Sequence, residues 1–444
     1  MKKYKVSNQV KVDSFILFLF IATFRLPQLL PPSIEFIASL SIAIFLLIYT
    51  FLIAIKNNFV IKNISRSRFF LVFVYVVFEI IAFIRSGVLG VMDFGTVIKF
   101  IGISTSLIFF LLFSISNLKN SEDLKYFMRA IIYSFSFLIF LNFTLYLIGI
   151  NPYISGNEYI YVSDGVLLSS VGLKISSAIY PLEAGPKLLG SIIVFVGVIS
   201  IISIVKRFKL IFFLPILLLT ILMILLSDAR LYLAVLLLFV FISPFYKIIS
   251  SKIFLQSYLI IFPLIPILIL FIASYVAELP GIEVLSRSAD DNISSLSGRT
   301  LIWSSISNEI QEFNIQLLYG YGASGTINSG INNEVAHVFL GGWENTGVKT
   351  AHNSILQQLL DKGLIGVVIF LLMFRSLIYT FKGLKSAEGI TFIFGVLSMM
   401  LASSLNTLFY FASSESYVLF IILIGLHVSI FFNKNTNQSK KHVF

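Results

Sequence analysis

The feature that most constrains this chain is its succession of uninterrupted apolar segments. Each is about long enough to cross a hydrocarbon core of roughly 30 Å, which takes ~20 residues as a helix. They read at 15–30, 34–55, 69–84, 95–116, 128–149, 186–204, 209–226, 229–246, 253–276, 363–381, 389–409 and 416–432. With 58% hydrophobic residues, 12% charged residues and a mean hydropathy of +0.97, a soluble domain of 444 residues is excluded. The expected fold class is therefore an all-α polytopic membrane protein of about twelve transmembrane helices, forming one integral membrane domain over 1–444. No clear internal repeat and no soluble domain large enough to fold alone is visible in the sequence.

The net charge of +11 raises the question of nucleic acid, but the basic residues alternate from loop to loop. Most of them fall in one set of connections: around Lys2–Lys11, Lys56–Arg68, Lys119–Arg129, Lys206–Lys209, Lys247–Lys252, Arg375–Lys385 and Lys434–Lys441. By the positive-inside rule that set is cytoplasmic, both termini are inside, and no nucleic acid is needed to explain the charge. Two long polar loops, 150–185 and 277–350, then lie on the outer face, with acidic residues such as Glu158, Glu183, Glu283, Asp290, Asp291 and Glu334. The chain has no cysteine, so disulfide staples and thiolate chemistry are excluded. The basic lead and apolar run at the N-terminus resemble a signal peptide, yet no small-residue cleavage site follows Arg25-Leu26-Pro27, and a retained first span is expected.

A connection as long as 277–350 exceeds what two spans require, which points to function. Within it, Ile302, Ile306, Ile310 and Phe313 recur at helical spacing after Ser297-Gly298-Arg299-Thr300. The spacing predicts an amphipathic helix on the outer membrane surface with Trp303 at headgroup depth. The stretch Leu317-Leu318-Tyr319-Gly320-Tyr321-Gly322-Ala323-Ser324-Gly325 follows, read either as a plain turn or as a backbone cradle for an anion; its spacing is not that of a phosphate-binding loop.

Ala351-His352-Asn353-Ser354 stands where this loop enters the next apolar span. A histidine at the water-facing mouth of a membrane protein is a candidate for proton chemistry, since its charge changes near neutral pH. Either 352–366 is one continuous helix, with Gly363 and Gly366 near the histidine's stripe, or Asp361-Lys362-Gly363 ends a short outer helix and the span begins at Gly363. Arg230, in Ser227-Asp228-Ala229-Arg230, sits at an outer junction with almost no loop, suited to grip a phosphate bidentately or, more plainly, to snorkel while paired with Asp228. Arg299 lies at the start of the expected surface helix, where free N–H groups favour anions, or is a solvated loop arginine.

What strengthens all three is that the charge pattern places them on one face. Two arginines for a diphosphate and one histidine for a proton suffice to transfer a group from a lipid diphosphate to a hydroxyl. No His and carboxylate spacing argues for a metal, and no cofactor is expected; Asp290-Asp291 reads as a solvated acidic pair. Substrate-binding candidates are Asn353, Lys187, Glu183 and Tyr321. Lys187 would add charge, Glu183 would orient His352 or bind sugar, and Tyr321 would stack on sugar rings; span-end anchoring is the plainer role for Lys187 and Glu183.

His352-Asn353, nine residues, then Gly363-Leu364-Ile365-Gly366 resembles the H-N-x9-G-x-x-G pattern of the O-antigen polymerase and ligase family of bacterial cell-surface glycan assembly. Ser297-Gly298-Arg299 with Ile302-Trp303, Leu318-Tyr319-Gly320-Tyr321-Gly322 and Arg230 after its short turn support the resemblance, which covers about 215–375. It implies a fold like the C-type glycosyltransferases and a metal-independent, inverting transfer between undecaprenyl-diphosphate-linked sugars. It also implies a bacterial cytoplasmic (inner) membrane location with the active site on the outer face, and the family's essential arginines and histidine falling on Arg230, Arg299 and His352. The implied partners are the lipid-linked glycan donor and acceptor and the membrane lipid, with a chain-length regulator protein as a further candidate. Polymerase is the preferred activity, although these residues serve a ligase acting on lipid A core equally well. A transporter of lipid-linked sugars predicts ionisable residues buried at mid-span; Glu79 and His427 are among the few that qualify.

Overall fold

The computed structural model describes residues 5–91, 94–150, 178–182, 190–207, 210–268, 299–311, 314–336, 350–384, 386–409 and 414–430. Glu183, Lys187, Asp290 and Asp291 lie outside the described residues. The described chain is helical, with no β-strand beyond an isolated bridge between Ile64 and Ser429. The principal helices are α1 (Asn8–Thr23), α2 (Pro32–Lys56), α3 (Arg66–Val88), α4 (Phe94–Ser116), α5 (Ser121–Leu147), α6 (Gly190–Val205), α7 (Leu210–Leu226), α8 (Arg230–Ile242), α9 (Lys252–Ile261), α10 (Arg299–Gln311), α11 (Ser354–Gly383), α12 (Ala387–Ser403) and α13 (Ser414–His427).

Six described helices are long and apolar enough to span a membrane: α2 to α5, α8 with its continuation to Ile249, and α11. Helices α6, α7, α12 and α13, and the stretch Lys252–Leu268, are apolar but shorter; α1 is a further apolar helix of 16 residues. Capping residues set the starts more sharply than hydropathy does. Ser7 accepts the Val10 N–H at 3.3 Å to open α1. Asn120 accepts from Glu122 and Asp123 N–H at 2.9 and 3.0 Å, with both acids placed at the positive end of α5.

Helix α1 packs on α5 and α2 on α4, while α6 is enclosed by α7, α8 and α12 and buried along nearly its whole length. That enclosure explains why α6 is apolar all round, in contrast to helices with one buried face. Gly395 of α12 makes a close approach: a Cβ there would sit 2.5 Å from the Phe195 ring of α6. Small residues let helices meet this closely where lipid offers no hydrophobic drive for association.

Helix α11 is broken at Gly363, whose φ of 68° and ψ of −169° are not helical. The structure thus adopts the second alternative, a short helical segment 354–362 followed by a long one 364–383. The break frees the carbonyls of Leu360 and Asp361, and the glycine-rich turn fills the gap. Tyr321 N–H donates to Leu360 O at 2.6 Å and Gly322 N–H to Asp361 O at 3.0 Å. Ala323 N–H goes to Ala82 O at 2.9 Å and Gly325 N–H to the Asp361 carboxylate at 2.8 Å. These donors are committed to protein acceptors, so the turn is a docking element for α11 in place of an anion cradle. A Cβ on Gly363 would lie 2.2 Å from the Leu318 carbonyl. We therefore expect Gly363→Ala to combine a backbone penalty of ~1–3 kcal/mol with a clash that parts α11 from the turn. Thermal unfolding in detergent should show a midpoint below that of the wild type.

The segment expected as a surface helix is helical as α10, and its apolar residues pack within the chain. Ile302 and Ile306 are fully buried and Trp303 is 2% exposed, packed with Ile331, Val335, Ala351 and Leu360 of the same chain. Its apolar stripe is covered by protein.

Candidate active site

The end of the bundle that carries His352 is built from four segments: 350–354, the N-terminus of α10, the first turn of α8, and 404–408 after α12. Asn353 caps α11, its side-chain oxygen accepting from Ile355 and Leu356 N–H at 2.9 Å each. Its amide nitrogen donates to Ser404 O at 2.6 Å, and the residue is fully buried. Asn353, expected to bind substrate, caps α11 in the structure, with its side chain enclosed and engaged at both ends. Ser354 completes the lock: its hydroxyl donates to Leu408 O at 2.7 Å and accepts from Leu408 N–H at 2.8 Å.

His352 precedes this cap at φ 49°, the left-handed region that non-glycine residues seldom occupy. Such conformations persist only where the surroundings dictate them, and they concentrate at functional sites. Burial pushes its pKa down to about 4, with the Arg299 charge adding to the lowering and the Asn406 side-chain hydrogen bond opposing it. The ring is therefore neutral across the physiological range and able to accept a proton. Its Nδ1 has no hydrogen-bond partner among the described residues. The structure thus brings His352 within electrostatic reach of Arg299, 53 positions away in the numbering of the chain.

Asn406 also joins α8 to the histidine, since its amide nitrogen donates to the Tyr232 hydroxyl at 2.8 Å. Tyr232 lies two residues beyond Arg230, the first residue of α8. Arg230 is paired with the buried Asp228, at 3.4 Å from Nε and 3.3 Å from the terminal nitrogen, and its side chain is 19% exposed. The Asp228 pairing considered for Arg230 is thus realised, and it holds the guanidinium at the mouth of α8. Asn406 is hidden in the sequence because 389–409 scans as one span, and Tyr232 because it sits inside the apolar run 229–246. The polar run Ser403-Ser404-Leu405-Asn406-Thr407 was the available signal, and α12 ends at Ser403.

Tyr321 is placed elsewhere. Its hydroxyl donates to Glu309 and accepts from Asn314 at 3.1 Å, lining a small recess with Leu317, Leu359 and Leu360. Glu309 is ten residues along α10 from Arg299, roughly 15 Å at 1.5 Å per residue. On the other expected outer loop, Tyr180 and Leu182 are buried, with the Tyr180 hydroxyl donating to Met223 O at 2.9 Å.

Glu79, one of the mid-span ionisable residues, forms an ion pair with Lys362, which also donates to Gln358 Oε1 at 2.6 Å and lies 4.9 Å from the Tyr75 ring centre. The Tyr75 hydroxyl donates to Glu79 at 2.5 Å. With Lys362 only 3% exposed, this pair fastens α11 to α3 just before the break. Removing one partner of a buried pair strands the other charge, at a cost of ~3–5 kcal/mol, whereas removing both is often neutral. Lys362→Met should therefore lower the thermal midpoint strongly, and Glu79→Leu combined with Lys362→Met should recover most of the loss.

Fold and site together define a polytopic helical membrane protein with a histidine and arginine site at one end of its bundle. Residues 215–371 match the family described as O-antigen ligase, a stretch that takes in Arg230, Arg299 and His352. This match supports the O-antigen polymerase and ligase family for the chain, whose members are glycosyltransferase-like enzymes acting on polysaccharides. No curated protein matches the chain at a significant level.

Proposed function

We propose that the chain polymerises undecaprenyl-diphosphate-linked oligosaccharide repeat units at the outer face of the bacterial cytoplasmic membrane. The observation that carries this reading is a half-buried His352, held in a left-handed backbone within electrostatic reach of Arg299, inside the stretch that matches the O-antigen ligase family. In the reaction, the acceptor hydroxyl oxygen attacks the anomeric carbon of the donor from the face opposite the diphosphate. The new C–O bond forms as the bond to the diphosphate oxygen breaks, and the configuration inverts. His352 takes the hydroxyl proton, and undecaprenyl diphosphate leaves with the bonding pair, its charge met by Arg299 and Arg230. This assigns the leaving-group charge to guanidinium forks and makes the transfer metal-independent. The arrangement resembles what a C-type glycosyltransferase fold would supply.

A pKa near 4 makes for a weak base, and the donor itself remedies this. A diphosphate beside Arg299 offsets the positive field acting on the ring, so that His352 becomes more basic when the donor is bound. The ligase reading, transfer of glycan to lipid A core, is favoured by the description of the matched family. The test is the purified protein in lipid with undecaprenyl-diphosphate repeat units. A gel ladder supports the polymerase, glycosylation of added lipid A core without a ladder supports the ligase, and neither product overturns both readings in favour of transport.

A further inference from the structure

We propose that Gln357 is a positioning residue that sets the His352 ring by holding the peptide immediately before it. This rests on the reading of His352 as the base. Gln357 is fully buried inside the short segment of α11. Its Oε1 accepts from Ala351 N–H at 2.8 Å and from the Thr326 hydroxyl at 3.3 Å. Its Nε2 donates to Asp361 Oδ1 at 2.8 Å, and the same oxygen takes Gly325 N–H, also at 2.8 Å. The Ala351 carbonyl is held from the other side by the Trp303 indole N–H at 2.8 Å.

Both polar groups of Ala351 are therefore gripped by side chains of two separate helices, and Ala351 is fully buried. One residue later the chain is fixed again by the Asn353 cap. His352 spans these two anchors, which accounts for its left-handed backbone. Trp303 stands four residues, about one turn, beyond Arg299 on α10. The Ala351 clamp thus ties the helix carrying the arginine to the residue carrying the base, and Gln357 is its half on α11. Without the Gln357 oxygen, the Ala351 N–H is left buried and unpaired, the backbone relaxes, and the ring leaves its place relative to Arg299 and Asn406.

The experiment compares the wild type, Gln357→Met, and the double variant Gln357→Glu with Asp361→Asn, each full length in lipid. Methionine keeps the volume but removes the acceptor. The double variant exchanges amide and carboxylate, restoring an acceptor for Ala351 and a donor between the two side chains, with the amide oxygen at position 361 left to take the Gly325 N–H. Amide hydrogen exchange over 350–356 reads the clamp without reference to activity, and steady-state rates with undecaprenyl-diphosphate repeat units read catalysis.

The expected result is faster exchange over 350–356 in Gln357→Met with kcat down roughly 100-fold, as for a misplaced catalytic group, and KM within about twofold. Both should return toward wild type in the double variant. Faster exchange with unchanged kcat overturns the positioning role while leaving the proposed activity in place. Unchanged exchange in Gln357→Met overturns the clamp itself. A wild type that transfers no glycan overturns the proposed activity and the catalytic part of this inference together, and the exchange data then decide the clamp alone.

Discussion

Replacing His352 with alanine is expected to lower kcat by ~10²–10⁴-fold, the usual worth of a positioned general base, with little effect on donor binding. The size follows from the work assigned to the ring. A sugar hydroxyl holds its proton tightly, and among the groups placed at this end of the bundle the neutral imidazole is the acceptor that stands beside Arg299. Removing the ring leaves the Asn353 cap, the Ser354 bonds and the Trp303 bond to Ala351 O intact, since none of them uses the imidazole. The variant should therefore unfold at nearly the wild-type temperature while losing turnover. Single-turnover rates on gel-resolved product are the measurement, because they separate chemistry from release. Residual turnover within tenfold of wild type would remove His352 from the role of base.

Much of the bundle was readable before the fold was known, because lipid imposes a uniform demand on every helix that crosses it. Apart from α10, the principal described helices overlap the expected apolar segments, and most deviations lie at their ends. Helix α1 begins at Asn8, where Ser7 caps it, well before the apolar run that marked it. Helix α12 stops at Ser403, since the polar residues beyond it wrap the N-terminus of α11. Hydropathy averaged over a window blurs both signals.

The apolar stripe of α10 was visible as a period, but its partner was not. A stripe of Ile302, Trp303 and Ile306 reads the same whether lipid or the same chain covers it, and here Ile331, Ala351 and Leu360 do so. Pairings across long separations were equally hidden: Glu79 and Lys362 are 283 positions apart, and nothing local in either segment announces the other. At the site, His352 and Arg299 stood out as unusual residues for their surroundings, whereas Asn406, Tyr232 and Gln357 are ordinary polar side chains whose meaning comes from what they touch. Asn353 was legible as part of a motif, but its work as a cap needed the geometry of the 404–408 turn.

Arg299→Gln carries the other large effect, and its sign can be worked out in two places. On the plateau of the rate profile, losing a charged donor at the leaving group should cost ~10²–10³-fold in kcat, the scale seen when one donor to a developing anion is removed. Arg299→Lys should fall between, keeping the charge but losing the fork. The acid limb should move as well. In the wild type burial and then the Arg299 charge hold His352 down to about 4, so the base stays neutral until the pH falls to that region. Deleting the charge removes the second of these lowering causes while Asn406 continues to raise the value. The pKa then climbs toward the ordinary ~6.5 of histidine, and the acid limb of kcat/KM shifts to higher pH. Two profiles of the wild type should differ for the same reason. The kcat/KM profile reports the free enzyme, where Arg299 acts on the ring unopposed; the kcat profile reports the complex, where the donor's diphosphate offsets it. The acid limb of kcat should accordingly sit at higher pH than that of kcat/KM, and both limbs should move to higher pH in Arg299→Gln. A plateau that falls with no movement of either limb would show that Arg299 serves the diphosphate without acting on His352, and would separate two groups that the structure places together.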